Sequence, residues 1–170
     1  MKKLMATITG ITLIAASSYG VMIQEGTKEL VLEGAYDFQS VAGSALALDA
    51  KVGYFVMDGI QVGGLVGVSD NDFTTDWRIG AFAEYNVDLG EPIVPFVGAS
   101  VGLVRTDPDV GSSEDTLFLG AEAGAKYFIA ENIAVSLSYQ FLWADEDVFA
   151  DNGDRDDTDH SIQLGMRFFF

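Results

Sequence analysis

The sequence predicts an all-β fold, an eight-stranded antiparallel up-and-down transmembrane β-barrel. Three observations lead to this prediction. Eight segments alternate large apolar residues with small or polar ones, short connections alternate with long polar ones, and aromatic residues gather near both ends of the apolar faces. The 170 residues suffice for one domain of ordinary size.

The composition excludes several classes of protein. The chain has 26 acidic and 9 basic residues and a net charge of −17, yet 49% of its residues are hydrophobic. This apolar content excludes a disordered acidic tail, and the shortage of Lys and Arg argues against a nucleic-acid partner. The chain has no cysteine and one histidine. Disulfides, thiol catalysis, cysteine-ligated zinc and a multi-histidine metal site are therefore excluded.

Residues 1–20 have the pattern of a secretory signal peptide. Lys2 and Lys3 form a basic start, residues 4–16 are apolar, and small residues follow up to Gly20. The apolar run is shorter than the about 20 residues that a membrane-spanning helix needs, which argues against the alternative of an N-terminal membrane anchor. We expect cleavage near residues 18–20, with residues 21–170 forming the barrel domain.

The first four predicted strands cover residues 28–38, 45–56, 60–69 and 76–87. Each alternates with a period of two, as expected of strands with unlike faces. Their apolar faces carry, in order, Leu30, Leu32, Tyr36 and Phe38; Leu48, Val52, Tyr54 and Val56; Val62, Val66 and Val68; and Trp77, Ile79 and Tyr85. Small and charged residues predominate on their opposite faces.

The last four predicted strands cover residues 93–103, 116–128, 133–143 and 161–170. Their apolar faces carry, in order, Ile93, Val97, Val101 and Leu103; Leu117, Leu119 and Tyr127; Ile133, Val135, Leu137, Tyr139, Phe141 and Trp143; and Ile162, Leu164, Met166, Phe168 and Phe170. Pro95 lies near the start of its strand, where proline is tolerated.

The connections between the predicted strands alternate in length. Short turns are predicted at residues 57–59, 88–92 and 130–132, and longer polar loops at residues 39–44, 70–75, 105–115 and 144–160. Short turns on one rim and long loops on the other are typical of up-and-down membrane barrels. An even number of strands places both chain ends at the short-turn rim.

The charged residues of the small-residue faces are few and of both signs: Glu33, Asp37, Asp49, Lys51, Arg78, Glu84, Glu122, Lys126 and Arg167. A water-exposed sheet face would carry many more polar groups. An eight-stranded barrel has an interior just wide enough to be filled by side chains, and buried charges must be paired. We therefore predict that these residues form a structural charge network in the lumen, with a proton or ion path as the alternative.

The aromatic residues indicate which face meets lipid. At the long-loop end the apolar faces carry Tyr36, Phe38, Trp77, Phe141 and Trp143, and at the short-turn end Tyr54, Tyr85, Tyr127, Phe168 and Phe170. Two aromatic girdles around an aliphatic belt are typical of membrane–water interfaces. The alternative is a soluble ligand-binding barrel of inverted polarity, in which the aliphatic face lines a cavity.

The signal peptide, the eight alternating strands, the stretch Pro95-Phe96-Val97-Gly98-Ala99-Ser100-Val101-Gly102 and the terminal Phe170 resemble the OmpA/OmpX-like small outer-membrane β-barrels. This resemblance implies location in the cell outer membrane, short periplasmic turns and extracellular loops. It also implies that Phe168 and Phe170 belong to an assembly signal recognised by the barrel-assembly machinery. Outer-membrane lipid would then surround the protein.

The predicted long loops are strongly acidic, with eight carboxylates and a single arginine between residues 144 and 160. Hard oxygen ligands of this kind suit Ca²⁺ or Mg²⁺, which makes Asp151, Asp154 and Asp156 weak metal candidates. Their spacing does not follow the EF-hand order, so we expect solvated acidic extracellular loops, no metal and no cofactor. Such loops could contact an extracellular ligand or surface partner.

Catalysis has one weak candidate, His160 beside Ser161 and Asp159. Neighbouring residues of a strand point to opposite faces, so His160 and Ser161 are poorly placed as base and nucleophile. That objection weakens if the last strand begins after them. We predict a non-enzymatic barrel with a structural or surface-interaction role; the alternatives are a narrow pore for small solutes, the inverted soluble barrel and a lipid-acting enzyme.

Overall fold

The computed structural model describes residues 23–36, 46–70, 74–108, 114–145, 149–151 and 154–170. These residues form ten strands: β1 (Lys28–Tyr36), β2 (Leu46–Met57), β3 (Ile60–Asp70), β4 (Thr74–Asn86), β5 (Ile93–Pro108), β6 (Glu114–Ala130), β7 (Ile133–Ala144), β8 (Phe149–Asp151), β9 (Asp154–Asp156) and β10 (Thr158–Phe169). No helix among the described residues is long and apolar enough to cross a membrane.

Eight of the strands close into a barrel in the order β1-β10-β7-β6-β5-β4-β3-β2. All neighbours are antiparallel, and β1 closes the barrel by pairing with β2 on one side and with β10 on the other. The predicted eight-stranded antiparallel barrel is therefore confirmed. Strands β8 and β9 pair only with each other, as a small hairpin inside the predicted loop 144–160.

Several strands extend farther toward the long-loop end than predicted. Strands β5 and β6 continue through the polar pairs Arg105–Asp115 and Thr106–Glu114, and β10 begins at Thr158, opposite Trp143. Backbone hydrogen bonding continues there although apolar–polar alternation has ended. Part of the first predicted strand, residues 37 and 38, lies outside the described residues.

The barrel wall is apolar outside and polar inside. Val52, Ile79 and Leu164 are 58–62% exposed on the outer surface, whereas Lys126 and Arg167 are fully buried inside. The inverted soluble barrel, with its aliphatic face lining a cavity, is therefore wrong. Exposed aromatic rings flank the aliphatic belt, with Trp77 and Trp143 toward the long loops and Tyr54, Tyr85 and Phe170 toward the short turns.

The short turn between β2 and β3 requires a glycine. Gly59 has a φ of +74°, a left-handed conformation that L-residues with a side chain rarely adopt. A Cβ atom at this position would lie 2.6 Å from the carbonyl oxygen of Asn86. The turn between β2 and β3 therefore packs directly against Asn86, the last residue of β4.

Candidate functional site: the barrel interior

The short-turn end of the interior is filled by an apolar layer composed of Ile23, Phe55, Val94, Phe128, Ala134 and Phe169. The rings of Phe128 and Phe169 lie 4.9 Å apart between centroids. Ile23 comes from the segment before β1, and its carbonyl accepts a hydrogen bond from the Gly59 N–H at 2.8 Å. The segment thus folds across this end of the barrel, a closure that the sequence analysis did not predict.

Arg167 is the centre of an ionic layer above the phenylalanine rings. Its guanidinium contacts Glu29 at 3.2 Å, Glu84 at 3.0 Å and Glu33 at 2.8 Å. It also lies over the ring of Phe96, 4.4 Å from the centroid. Charge-assisted hydrogen bonds of this kind are the strong ones, and they tie β10 to strands β1 and β4.

Two lysines complete the ionic layer. The Lys126 ammonium donates to Glu29 at 3.1 Å and also pairs with Glu84. Lys51 bridges two other carboxylates, Glu33 at 2.6 Å and Glu122 at 2.7 Å. We call this set of three cations and four carboxylates the central network; its members are Glu29, Glu33, Lys51, Glu84, Glu122, Lys126 and Arg167.

A separate ion pair lies nearer the long-loop end, where Arg78 contacts both carboxylate oxygens of Asp49 at 2.9–3.0 Å. The structure thus places eight of the nine predicted lumen residues in the interior, six in the central network and two in this pair. Asp37 lies outside the described residues. Glu29 was missed, although its position two residues before Val31 places it on the same face.

Glycine makes room for these long side chains. A Cβ atom at Gly165 would lie 2.6 Å from the Cγ of Glu33 and 2.8 Å from the Ser136 hydroxyl. Cβ atoms do not approach other atoms this closely, so the Glu33 and Ser136 side chains would have to shift. The small residues of the inner face therefore accommodate the central network, as packing in a narrow barrel requires.

A third layer, nearer the long loops, is again apolar: Leu65, Val104, Phe118 and Leu142, with Phe82 packed against them. Two cavities beside it, both lined by Lys51, Ser100 and Gln140, measure about 10 Å³ each. A cavity of this size has room for about one water molecule.

The catalytic candidates His160 and Ser161 lie on opposite faces of β10. His160 faces outward and is exposed, whereas Asp159 and Ser161 are its partly buried neighbours on the inward register of β10. Because β10 begins at Thr158, all three belong to the strand, and the objection to a base–nucleophile pair stands.

The metal candidates lie on the β8–β9 hairpin, where Asp151 is opposite Asp154 and Asp156 is opposite Phe149. Their side chains lie outside the described part of the chain. At the end of β10, Phe170 is 63% exposed, and its backbone exchanges two hydrogen bonds with Lys28, at 2.8 and 3.0 Å. Phe168 is partly buried.

A closed barrel with an aliphatic exterior and an ionic, filled interior defines a small membrane-spanning β-barrel. The family model of the outer membrane protein β-barrel domain matches residues 6–170. The chain belongs to this family, and it is an outer-membrane protein surrounded by outer-membrane lipid. A comparison with curated proteins returns no significant match.

Several solved structures share the fold. Neisserial surface protein A is 19% identical, with 85% of this chain and 96% of that chain covered and a TM-score of 0.64. The N-terminal β-barrel domain of Pseudomonas aeruginosa OprF is 18% identical, covers 86% and 98%, and has a TM-score of 0.67. Yersinia pestis Ail in complex with the heparin analogue sucrose octasulfate is 15% identical, covers 86% and 100%, and has a TM-score of 0.51.

Proposed function

We propose that this outer-membrane barrel is non-catalytic and has a structural or surface-interaction role, with an interior closed to solutes. The observation that carries the proposal is the three-layer filling of the described interior. Phenylalanine rings close the short-turn end, the central network follows, and a second apolar layer lies nearer the long loops. The two cavities beside this second apolar layer measure about 10 Å³ each, which is room for about one water molecule.

The arrangement of the charged groups supports a structural rather than a transport role. Each cation of the central network contacts at least two carboxylates. Desolvated charges of this kind are costly unless paired, and such pairing holds neighbouring strands together. An ion crossing the barrel would have to displace several of these contacts and pass both apolar layers.

Replacing Arg78 with alanine tests closure. We expect a lower midpoint of denaturation, because Asp49 loses its partner at a largely buried site. Vesicle permeability and single-channel current in planar bilayers are expected to stay at the baseline of protein-free membranes, as for the unmodified protein, because the central network and both apolar layers remain. A large new conductance in the variant, or steady channels in the unmodified protein, would contradict a filled interior.

We further propose that any extracellular partner is cationic. The chain carries a net charge of −17, and loops rich in carboxylates repel polyanions. Sucrose octasulfate, the heparin analogue in the Ail complex, is a polyanion. Its charge is opposite to the charge expected of a partner of this chain.

Two features of export and assembly remain proposals. Residues 1–20 would be removed as a signal peptide near residues 18–20, leaving Ile23 close to the new N-terminus. Phe168 and Phe170 would be recognised by the barrel-assembly machinery, which is supported by the exposure of the Phe170 ring at the strand end.

A further inference from the structure

The membrane-facing surface carries one imidazole, that of His160. It is the only histidine in the chain, and it is exposed on the outer face of β10. The next outward residues toward the short turns are aliphatic and well exposed, among them Ile162 and Leu164. An ionisable side chain on a lipid-facing surface costs free energy. Its presence there indicates a functional site with a specific partner.

The position along the strand gives the depth of His160 in the membrane. His160 and Phe170 are ten residues apart on the same strand, which corresponds to roughly 34 Å of strand and, at a tilt of about 40°, to roughly 25 Å across the bilayer. The apolar band of such barrels is about 25 Å tall. If Phe170 marks the inner girdle, His160 lies at the level of the outer headgroups.

Two aromatic side chains, those of Tyr139 and Phe141, hold the His160 ring in place. The Tyr139 hydroxyl is within hydrogen-bonding distance of Nδ1, and the Phe141 ring lies 4.9 Å from the imidazole between centroids. In the tautomer in which the phenol donates to Nδ1, the proton of the neutral imidazole is on Nε2. Nε2 is thus an N–H donor, and the described residues provide no polar partner for it.

We propose that the Nε2–H of His160, positioned by Tyr139, donates a hydrogen bond to the phosphate of an outer-leaflet lipid headgroup. Phosphate oxygens are the acceptors abundant at this depth, and their negative charge strengthens the bond. The nearest described acid on the adjoining loop, Asp157, accepts from the Trp143 indole at 3.2 Å. Asp159 lies on the inward register of β10, and the described pairing of β1 with β10 ends at Gln163. This lipid site goes beyond the structural role proposed above, because it would bind lipids whose headgroups carry a phosphate in preference to others.

Tryptophan fluorescence provides the test, because the chain has two tryptophans, Trp143 beside His160 and Trp77 on β4. In a Trp77→Phe protein, Trp143 reports quenching by brominated phosphatidic acid relative to a brominated glycolipid without a phosphate, in otherwise identical vesicles. We expect phosphatidic acid to be favoured by about tenfold, the effect of one charge-assisted hydrogen bond. His160→Leu should remove this preference, and Tyr139→Phe should reduce it.

The matched control is a Trp143→Phe protein, in which Trp77 is the reporter and His160→Leu should change nothing. Folding of each variant is verified by its heat-dependent mobility in SDS gels. If His160→Leu does not fold, Tyr139→Phe takes its place as the variant that should reduce the preference. No preference at Trp143, or a preference that survives His160→Leu, would overturn the proposal. Excess inorganic phosphate should leave the preference intact; its loss would assign the site to free phosphate instead of lipid.

Discussion

Replacing Arg167 with methionine is expected to lower the free energy of unfolding by about 3–5 kcal/mol or more, the cost of breaking a buried ion pair. Arg167 is fully buried and contacts Glu29, Glu33 and Glu84. Methionine fills similar space but leaves four carboxylates with two cations in the central network. The unfolding midpoint and free energy can be measured by urea titration of the protein in lipid vesicles.

Glu122→Gln is the matched control for the Arg167 variant. It leaves three carboxylates for the three cations of the central network, and Lys51 keeps Glu33 at 2.6 Å. We therefore expect a clearly smaller loss of stability than for Arg167→Met. Equal stability of the two variants would show that the buried charges act independently and do not form one network.

Replacing Leu164 with arginine is expected to destabilise the barrel by about 2–4 kcal/mol, the cost of a basic residue near the middle of the lipid-facing band. Leu164 is 62% exposed on the outer surface, between Leu137 of β7 and Gly34 of β1 in the strand register. On a water-facing surface the same change would cost almost nothing.

Thr158→Arg on the same strand is the control for Leu164→Arg. Thr158 pairs with Trp143 at the long-loop end of the aliphatic belt, where a basic residue costs only about 0–1 kcal/mol. Both variants can be compared by urea titration in the same vesicles. A Leu164→Arg protein as stable as the Thr158→Arg protein would contradict a lipid-facing outer wall.

The strands and their faces were predictable because each face has a single environment. A period of two follows directly when one side meets lipid and the other a packed interior. The prediction failed where this contrast ends. Strand β10 begins three residues earlier than expected, and β5 extends to Pro108, because hydrogen bonding between strands continues beyond the aliphatic belt.

The interior charges were predictable individually, but their partners were not. Lys126 contacts Glu29 across 97 positions of sequence, a pairing set by the tilt and stagger of the strands. Glu29 was missed because it stands at the very start of β1, before the alternation is established. The closure by Ile23 had no sequence signal, since the segment before β1 has no period.

The lipid-facing orientation of the aliphatic face is tested most directly by a single-cysteine scan along β7, which is straightforward because the chain has no cysteine. Spin labels at successive positions from Ala134 to Tyr139 would be exposed to oxygen, which concentrates in lipid, and to a water-soluble nickel complex. We expect high oxygen accessibility at residues 135, 137 and 139 and low accessibility at residues 134, 136 and 138. High accessibility to the nickel complex at residues 135, 137 and 139, or oxygen maxima at the alternate positions, would contradict this orientation.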